Sequence, residues 1–166
     1  EALLKAKALL DEGQPLRRLS LTPVEQSLLS GFSFLTQKPS LLLMNISERD
    51  IGKTPYPEMK SYADAHVQGL TWYCSELEAE ISELPQEEQI AFLADAGLDK
   101  SGRERLVRGV YDLLDLISFF TISDTEIRAW SIPAETKALT AAGKVHSDME
   151  RGFIRAEVIN FDKLSE

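Results

Sequence analysis

A run of consecutive apolar residues, Leu41 to Met44, constrains the fold more than any other feature, because the polar pattern Asn45-x-x-Glu48 follows it directly. Successive side chains of a strand point to opposite faces, so a run that is apolar at every position predicts a parallel strand covered on both faces. Ligands of open α/β sheets bind just beyond the carboxyl ends of such strands. An asparagine amide both donates and accepts, and a carboxylate accepts, so this pair is suited to reading a nucleobase.

The sequence around this strand alternates between strands and helices. A second parallel strand is predicted at Thr71 to Cys74, with Ser75 placed to cap the helix that follows. Apolar residues at helical spacing predict three helices further along, at residues 76–84, 86–96 and 106–117. The alternation predicts that residues 15–116 form the back half of a doubly wound α/β sheet.

The first residues predict a helix with a coiled-coil-like seam. Leu3, Ala6 and Leu10 follow the spacing of a coiled-coil seam, and Gly13 ends the helix. A helix this short is unstable alone, so residues 1–14 are expected to pack against a partner helix.

One local signal precedes the first strand, and another follows it. Thr22 and Glu25 have the spacing of a capping box, which predicts the start of a second helix. Residues 49–61 contain glycine and proline and predict a loop.

The pattern changes to strands in the last third of the chain. Strands are predicted at residues 118–121, 127–132 and 153–161. In the last of these, Ile154 and Val158 alternate with charged residues, as in a half-exposed strand.

Composition narrows the class of protein. The net charge is −9, which argues against binding to free DNA or RNA through the phosphate backbone. A single cysteine, Cys74, permits no internal disulfide and suits a reducing compartment. Because no apolar run reaches about 18 residues, no membrane span is expected. These features favour a soluble cytoplasmic protein.

Five blocks of sequence resemble one known family, in the order in which that family has them. They are LTQKPSLLLMNISE, CSELEAEISEL, SGRERLVRGVYDLLDLISFFT, EIRAW and AAGKVHSDMERGFIRAEVINFDKL. The chain is similar to the second half of a YchF/Obg-like ATPase, a P-loop NTPase of the TRAFAC class with a C-terminal TGS domain.

The resemblance implies a three-part organisation. Residues 1–14 would be the end of a helical arm, and 15–116 the C-terminal half of the nucleotide-binding domain. Residues 117–166 would be a partial TGS module, which has a ubiquitin-like β-grasp fold. The sequence has no G-x-x-x-x-G-K-[ST] phosphate loop, so the family pattern implies that phosphate and Mg²⁺ binding lie upstream, and that this chain holds no catalytic residue.

The resemblance also implies a base-binding role for residues in two loops. Asn45, Ile46 and Glu48 occupy the place of the Asn-Lys-x-Asp pattern of guanine-specific relatives, and Ser75 and Glu76 occupy a second base-contacting loop. Replacement of the aspartate by Glu48 implies a preference for ATP, with GTP as the alternative nucleotide. The implied partner is the ribosome, through its large subunit or ribosomal RNA.

Other interpretations of the same residues remain open. Asn45 could cap a turn while Glu48 is merely solvent-exposed, and Cys74 suits a small buried side chain. His146 and Asp148 form a His-x-Asp pattern, but two ligands do not make a metal site, so a structural or partner-facing role is expected. The alternative function is a stand-alone adaptor that binds ribosomes or RNA without being an enzyme, and a remnant with degraded nucleotide function is a third.

Overall fold

A computed structural model describes residues 1–53, 56–123 and 125–164. The chain divides into two compact units, Glu1–Leu113 and Leu114–Glu166. The helices of the first unit are α1 (Ala2–Asp11), α2 (Pro23–Ser30), α3 (Pro57–Ala65), α4 (Ser75–Glu83), α5 (Gln86–Asp95) and α6 (Gly102–Leu113). Its strands are β1 (Leu41–Asn45) and β2 (Gly69–Tyr73). The second unit contains β3 (Leu116–Ile122), β4 (Ile127–Pro133), α7 (Ala138–Val145), α8 (Ser147–Arg151) and α9 (Phe161–Leu164).

The first unit is an α/β structure built on a parallel strand pair. Strand β1 pairs with β2 in parallel, from Leu41 opposite Gly69 to Asn45 opposite Tyr73, as the apolar run predicts. Helix α6 packs against both strands. The expected cover on both faces is incomplete, because Leu43 remains 41% exposed in a sheet that has only these two strands among the described residues.

The core of this unit lies where the two strands end. Its buried members are Ile46, Cys74, Leu77 and Ile81. Three of them follow β2 directly or lie on α4, so their burial ties the chain beyond each strand to the first turns of that helix. The predicted burial of Cys74, which is 1% exposed, is confirmed.

The N-terminal helices pack through a different seam from the predicted one. Ala6 is 2% exposed, but Leu3 and Leu10 are 50% and 42% exposed, so small residues and not the leucines face the neighbouring segment. The capping box of α2 is confirmed. Thr22 Oγ1 accepts from the Glu25 N–H at 3.3 Å, and Glu25 Oε2 accepts from the Thr22 N–H at 3.0 Å.

Two sequence predictions in the first unit are wrong at their boundaries. Part of the predicted loop at residues 49–61 is helix α3, which begins with Pro57 at its first position, where the fixed φ of proline suits a helix. The predicted helix at 106–117 ends at Leu113, because Asp115 adopts a left-handed φ of 50° and the chain then enters β3.

The second unit contains an antiparallel pair and three short helices. Strand β3 pairs with β4 so that Phe119 lies opposite Trp130. The Trp130 Nε1–H donates to Thr121 Oγ1 at 3.0 Å, which satisfies the indole within the sheet.

The strand predicted at residues 153–161 is wrong. Residues 153–160 lie outside any helix or strand, and Phe161 begins helix α9. Ile154 is 92% exposed and Val158 is 89% exposed. Alternation alone does not make a strand, since backbone N–H and C=O groups also need a neighbouring ladder, and β3 and β4 pair only with each other among the described residues.

Candidate functional site

The two loops that the sequence singles out meet at the carboxyl edge of the parallel pair. Asn45 is the last residue of β1, and Tyr73, opposite it, is the last residue of β2. The pairing continues one step further, because the Ile46 N–H donates to the Tyr73 carbonyl oxygen at 2.9 Å. The chain segments that leave the two strands therefore start side by side.

A side-chain hydrogen bond connects the loops. The Ser75 backbone N–H donates to Asn45 Oδ1 at 3.1 Å. Ser75 is the first residue of α4, whose leading N–H groups have no partner within the helix. The prediction that Ser75 caps this helix with its own side chain is wrong, because the cap position is Cys74 and the acceptor comes from Asn45.

This bond fixes the orientation of the Asn45 amide. A backbone N–H requires an acceptor, so the carbonyl oxygen of the amide faces Ser75 and the NH₂ group faces away. The Nδ2 group makes no hydrogen bond to any residue that the structure describes. Asn45 thus has a structural role at one end of its amide and a free pair of donors at the other.

Ile46 exposes only its backbone at the candidate site. Its side chain is 6% exposed and packs in the core with Cys74 and Leu77. Its N–H is committed to Tyr73, whereas its carbonyl oxygen accepts no hydrogen bond within residues 1–53, 56–123 and 125–164. A ligand at this edge of the sheet would meet Ile46 as a hydrogen-bond acceptor.

Glu48 lies in an ordered turn beyond β1. It starts a short 3₁₀ helix, Glu48–Asp50, and is exposed. Lys53 Nζ donates to Asp50 Oδ1 at 2.9 Å, and the Tyr56 hydroxyl donates to Asp50 Oδ2 at 3.3 Å. The hydrogen bond from Lys53 is the main cause that lowers the pKa of Asp50. These contacts hold the turn while the Glu48 carboxylate stays in solvent.

The second loop places its residues differently. Ser75 is half-buried beside Asn45, whereas Glu76 is exposed in the first turn of α4. A carboxylate is stabilised there by the positive end of the helix dipole, which accounts for Glu76 without a ligand. The structure therefore brings Asn45, Ile46 and Ser75 together and leaves both glutamates at the surface.

Sequence reasoning missed a contact beneath this site. The Glu78 carboxylate accepts from the Gly102 N–H at the start of α6. The position of Glu78 in the sequence gives no signal of a partner 24 residues away. The only related signal is local, since Ser101 and Glu104 have the spacing of a capping box that predicts a helix start.

The His-x-Asp pattern makes a local structural contact. His146 Nδ1 accepts from the Asp148 N–H at 3.2 Å, so the imidazole caps helix α8. Both side chains are exposed. Among the described residues, no group of three or more His, Cys, Asp or Glu side chains could hold a metal ion.

Comparisons with known proteins agree with this α/β geometry. Residues 116–166 match the family model YchF-GTPase_C, described as "Protein of unknown function (DUF933)". The structure of the Schizosaccharomyces pombe YchF GTPase superposes with a TM-score of 0.78 at 29% identity, over 92% of this chain and 42% of that chain.

Curated relatives extend the match over the whole chain. The ribosome-binding ATPase YchF of Bacillus subtilis (strain 168) is 36% identical over 99% of this chain and 46% of its own length. The Obg-like ATPase 1 of Caenorhabditis elegans is 33% identical over 100% of this chain and 43% of its own length.

Fold and sequence together define an α/β chain that is similar to part of the YchF GTPase structure. Over its whole length the chain matches the C-terminal portion of YchF/Obg-like ATPases, and it spans less than half the length of the relatives that it matches. In the residues that the structure describes, no helix is both long and apolar enough to cross a membrane.

Proposed function

We propose that this chain provides the base-recognition site of a nucleotide hydrolase that prefers ATP. The observation that carries the proposal is the hydrogen bond from the Ser75 N–H to Asn45 Oδ1. This bond uses the amide oxygen of Asn45 and leaves its Nδ2 group as a donor, and the next residue, Ile46, has an unused carbonyl acceptor. Both residues lie at the edge of the sheet where α/β proteins bind ligands.

This donor and acceptor match adenine better than guanine. Adenine presents the N7 acceptor next to the 6-amino donor, whereas guanine presents N7 next to the O6 acceptor. In our proposal Asn45 donates to N7 and the Ile46 carbonyl accepts from the 6-amino group. Guanine would direct O6 at that carbonyl, leaving two acceptors face to face without a hydrogen between them, which is unfavourable.

Glu48 supports the same preference for adenine, because it stands where guanine-specific relatives have an aspartate. An aspartate at this position in guanine-specific relatives accepts from the N1–H and 2-amino groups of guanine, neither of which adenine has. Glu48 is longer by one methylene and lies exposed on its turn. We propose that its carboxylate, like that of Glu76, borders the base without setting the specificity for guanine.

The remaining parts of the activity are proposed from the family. Phosphate binding, the Mg²⁺ ion and the hydrolytic machinery would belong to a part of the protein other than this chain. Residues 117–166 would form part of a TGS module, and residues 1–14 the end of a helical arm. Relatives named ribosome-binding ATPases support ribosome association, which we propose for the cytoplasmic protein that contains this chain.

The proposal is tested by Asn45→Asp in the protein that contains this chain. Aspartate keeps an oxygen for the Ser75 N–H but replaces the NH₂ donor with a second acceptor. We expect the affinity for ATP, measured by isothermal titration calorimetry, to fall by about tenfold or more, while the melting temperature stays near that of the wild type. Asn45→Ala is the matched control, since it loses both groups and should lower the affinity and the melting temperature together. Unchanged ATP affinity in Asn45→Asp would overturn the proposal.

The specificity is tested by Glu48→Asp alone. A change of Ile46 to lysine would complete the guanine pattern but would bury a charge in the core beside Cys74, at a cost of several kcal/mol. Glu48 is exposed, so its shortening leaves the fold intact. We expect the affinity for GTP to rise relative to that for ATP, and an unchanged ratio would contradict the role given to Glu48.

The alternative of a non-enzymatic adaptor is not favoured by relatives that are named ATPases. Sedimentation with ribosomes distinguishes the two. If the protein is an ATPase, we expect the amount that co-sediments with ribosomes to change when ATP replaces ADP. Equal co-sedimentation with either nucleotide would favour the adaptor.

A further inference from the structure

The amino end of helix α6 lies unusually close to β2 and α4. A Cβ atom added to Gly102 would lie 2.7 Å from Glu78 Oε1 and 2.7 Å from the Cβ atom of Tyr73. Real Cβ atoms essentially never approach other atoms so closely, so only glycine fits here. Tyr73 ends β2, and Cys74 and Ser75 follow it into the candidate base site. The start of α6 therefore borders the chain that forms the second loop.

Glu78 joins the two helices at this point. Its carboxylate accepts from the Gly102 N–H, which is one of the unpaired donors at the start of α6. The helix dipole of α6 favours a negative charge at the same position. Another donor of this turn is served locally, because the Glu104 N–H donates to Ser101 Oγ at 3.2 Å. Glu78 is thus a contact from α4 to α6 and not part of a solvated helix face.

Arg105 holds the other side of the same junction. Its guanidinium lies 4.0 Å from the ring centroid of Trp72, the residue before Tyr73 in β2. It also donates through Nη1 to the Lys100 carbonyl oxygen. A stacked arginine on a partly buried tryptophan attaches the first turn of α6 to the end of β2. Helix α6 is therefore fixed to β2 through Trp72 and to α4 through Glu78.

We propose that Glu78 is a positioning residue for base binding, which holds the first turn of α4 so that the Ser75 N–H stays bonded to Asn45. Glu78 lies three residues, or about one helical turn, after Ser75, so a shift of α4 at Glu78 moves Ser75 with it. Loss of the Ser75 bond would release the Asn45 amide and with it the donor for the base. This inference rests on the proposed function and adds a residue that does not itself touch the base.

The test compares two ligands in the protein that contains this chain. ATP carries the base, and inorganic tripolyphosphate carries the phosphates alone. We expect Glu78→Ala to weaken ATP binding by about tenfold, measured by titration calorimetry, and to leave tripolyphosphate binding unchanged. Glu78→Gln keeps an oxygen that can accept from the Gly102 N–H, so it should recover most of the ATP affinity. Glu80→Ala, an exposed change on the same helix, should behave as the wild type.

The outcomes separate this inference from the proposed function. ATP affinity of Glu78→Ala equal to that of the wild type would overturn the inference, as would an equal loss for both ligands, which indicates a general loss of structure. If Glu78→Ala does not fold, Glu78→Asp provides the same comparison with a carboxylate that is one methylene too short. A wild-type protein that binds ATP no more tightly than tripolyphosphate would overturn the proposed function itself, and this inference with it.

Discussion

At the scale of single residues, Asn45 and Glu25 each use one side chain to join two segments. Asn45 accepts from the Ser75 N–H across the two loops. Glu25 accepts from the Thr22 N–H within its capping box and from Lys5 Nζ at 2.6 Å, which ties α1 to α2. The hydrogen bond from Lys5, followed by the bonds from Thr22, lowers the pKa of Glu25 from 4.5 to about 2.

This shift predicts a dependence of stability on pH. Because the pKa of Glu25 is lower in the folded state, its contribution is present above about 4.5 and is lost as the pH falls towards about 2. Lys5→Met should raise the pKa of Glu25 towards 4.5, measured by NMR titration of the carboxyl carbon. Lys7→Met, which removes only the neighbouring contact to Asp11, is the control and should leave that pKa unchanged. Equal pKa values in the Lys5→Met variant and the wild type would contradict the account.

At the scale of elements, the packing of α6 predicts opposite effects for two glycines. A Cβ atom at Gly102 would collide with Glu78 and Tyr73, whereas at Gly109 its nearest neighbour would be Leu41 at 3.5 Å, an ordinary contact. We expect Gly102→Ala to lower the free energy of unfolding by about 1–3 kcal/mol. Gly109→Ala should raise it by up to about 1 kcal/mol, because alanine is the better helix former.

Urea unfolding followed by fluorescence measures both effects. The chain has two tryptophans, so a Trp130→Phe background leaves Trp72, which lies at the junction of β2 and α6, as the reporter. A Gly102→Ala variant as stable as its parent would show that the close approach of α6 is not required.

The elements that sequence could predict are those whose causes are local. The parallel pairing of β1 with β2 follows from its apolar run, and the capping box of Thr22 from residue types at fixed spacing. The failed strand at 153–161 needed a neighbouring ladder that no local pattern encodes. Likewise, Ile117 continued the apolar spacing of α6, but the left-handed backbone at Asp115 ended the helix first.

The sequence predicts where the candidate site lies but not the hydrogen bonds and packing contacts within it. The sequence placed Asn45 and Ser75 at the ends of two parallel strands, and the structure brings them within hydrogen-bonding distance. Three features depend on packing between segments that are far apart in the chain. They are the capping of α4, the burial of Ile46 and the contact of Glu78 with Gly102. Such contacts leave no periodic signal in one sequence.

At the scale of the whole molecule, the net charge of −9 constrains the proposed association with ribosomes. Binding to free RNA gains affinity when basic side chains neutralise phosphates and release the counterions condensed on the RNA, and a chain with 27 acidic and 18 basic residues is poorly suited to this. We expect no salt-sensitive binding of this chain to a single-stranded RNA oligonucleotide in fluorescence anisotropy. Tight binding that weakens steeply with salt would contradict this and would point to a basic surface that dominates the total charge.

The central claim, that the loops after β1 and β2 read adenine, is tested most directly by the ratio of two affinities. Titration calorimetry on the protein that contains this chain gives the dissociation constants of ATP and GTP under identical salt and Mg²⁺. We expect ATP to bind more tightly by about tenfold or more, because guanine would place O6 against the Ile46 carbonyl oxygen. Equal affinities, or tighter binding of GTP, would contradict it.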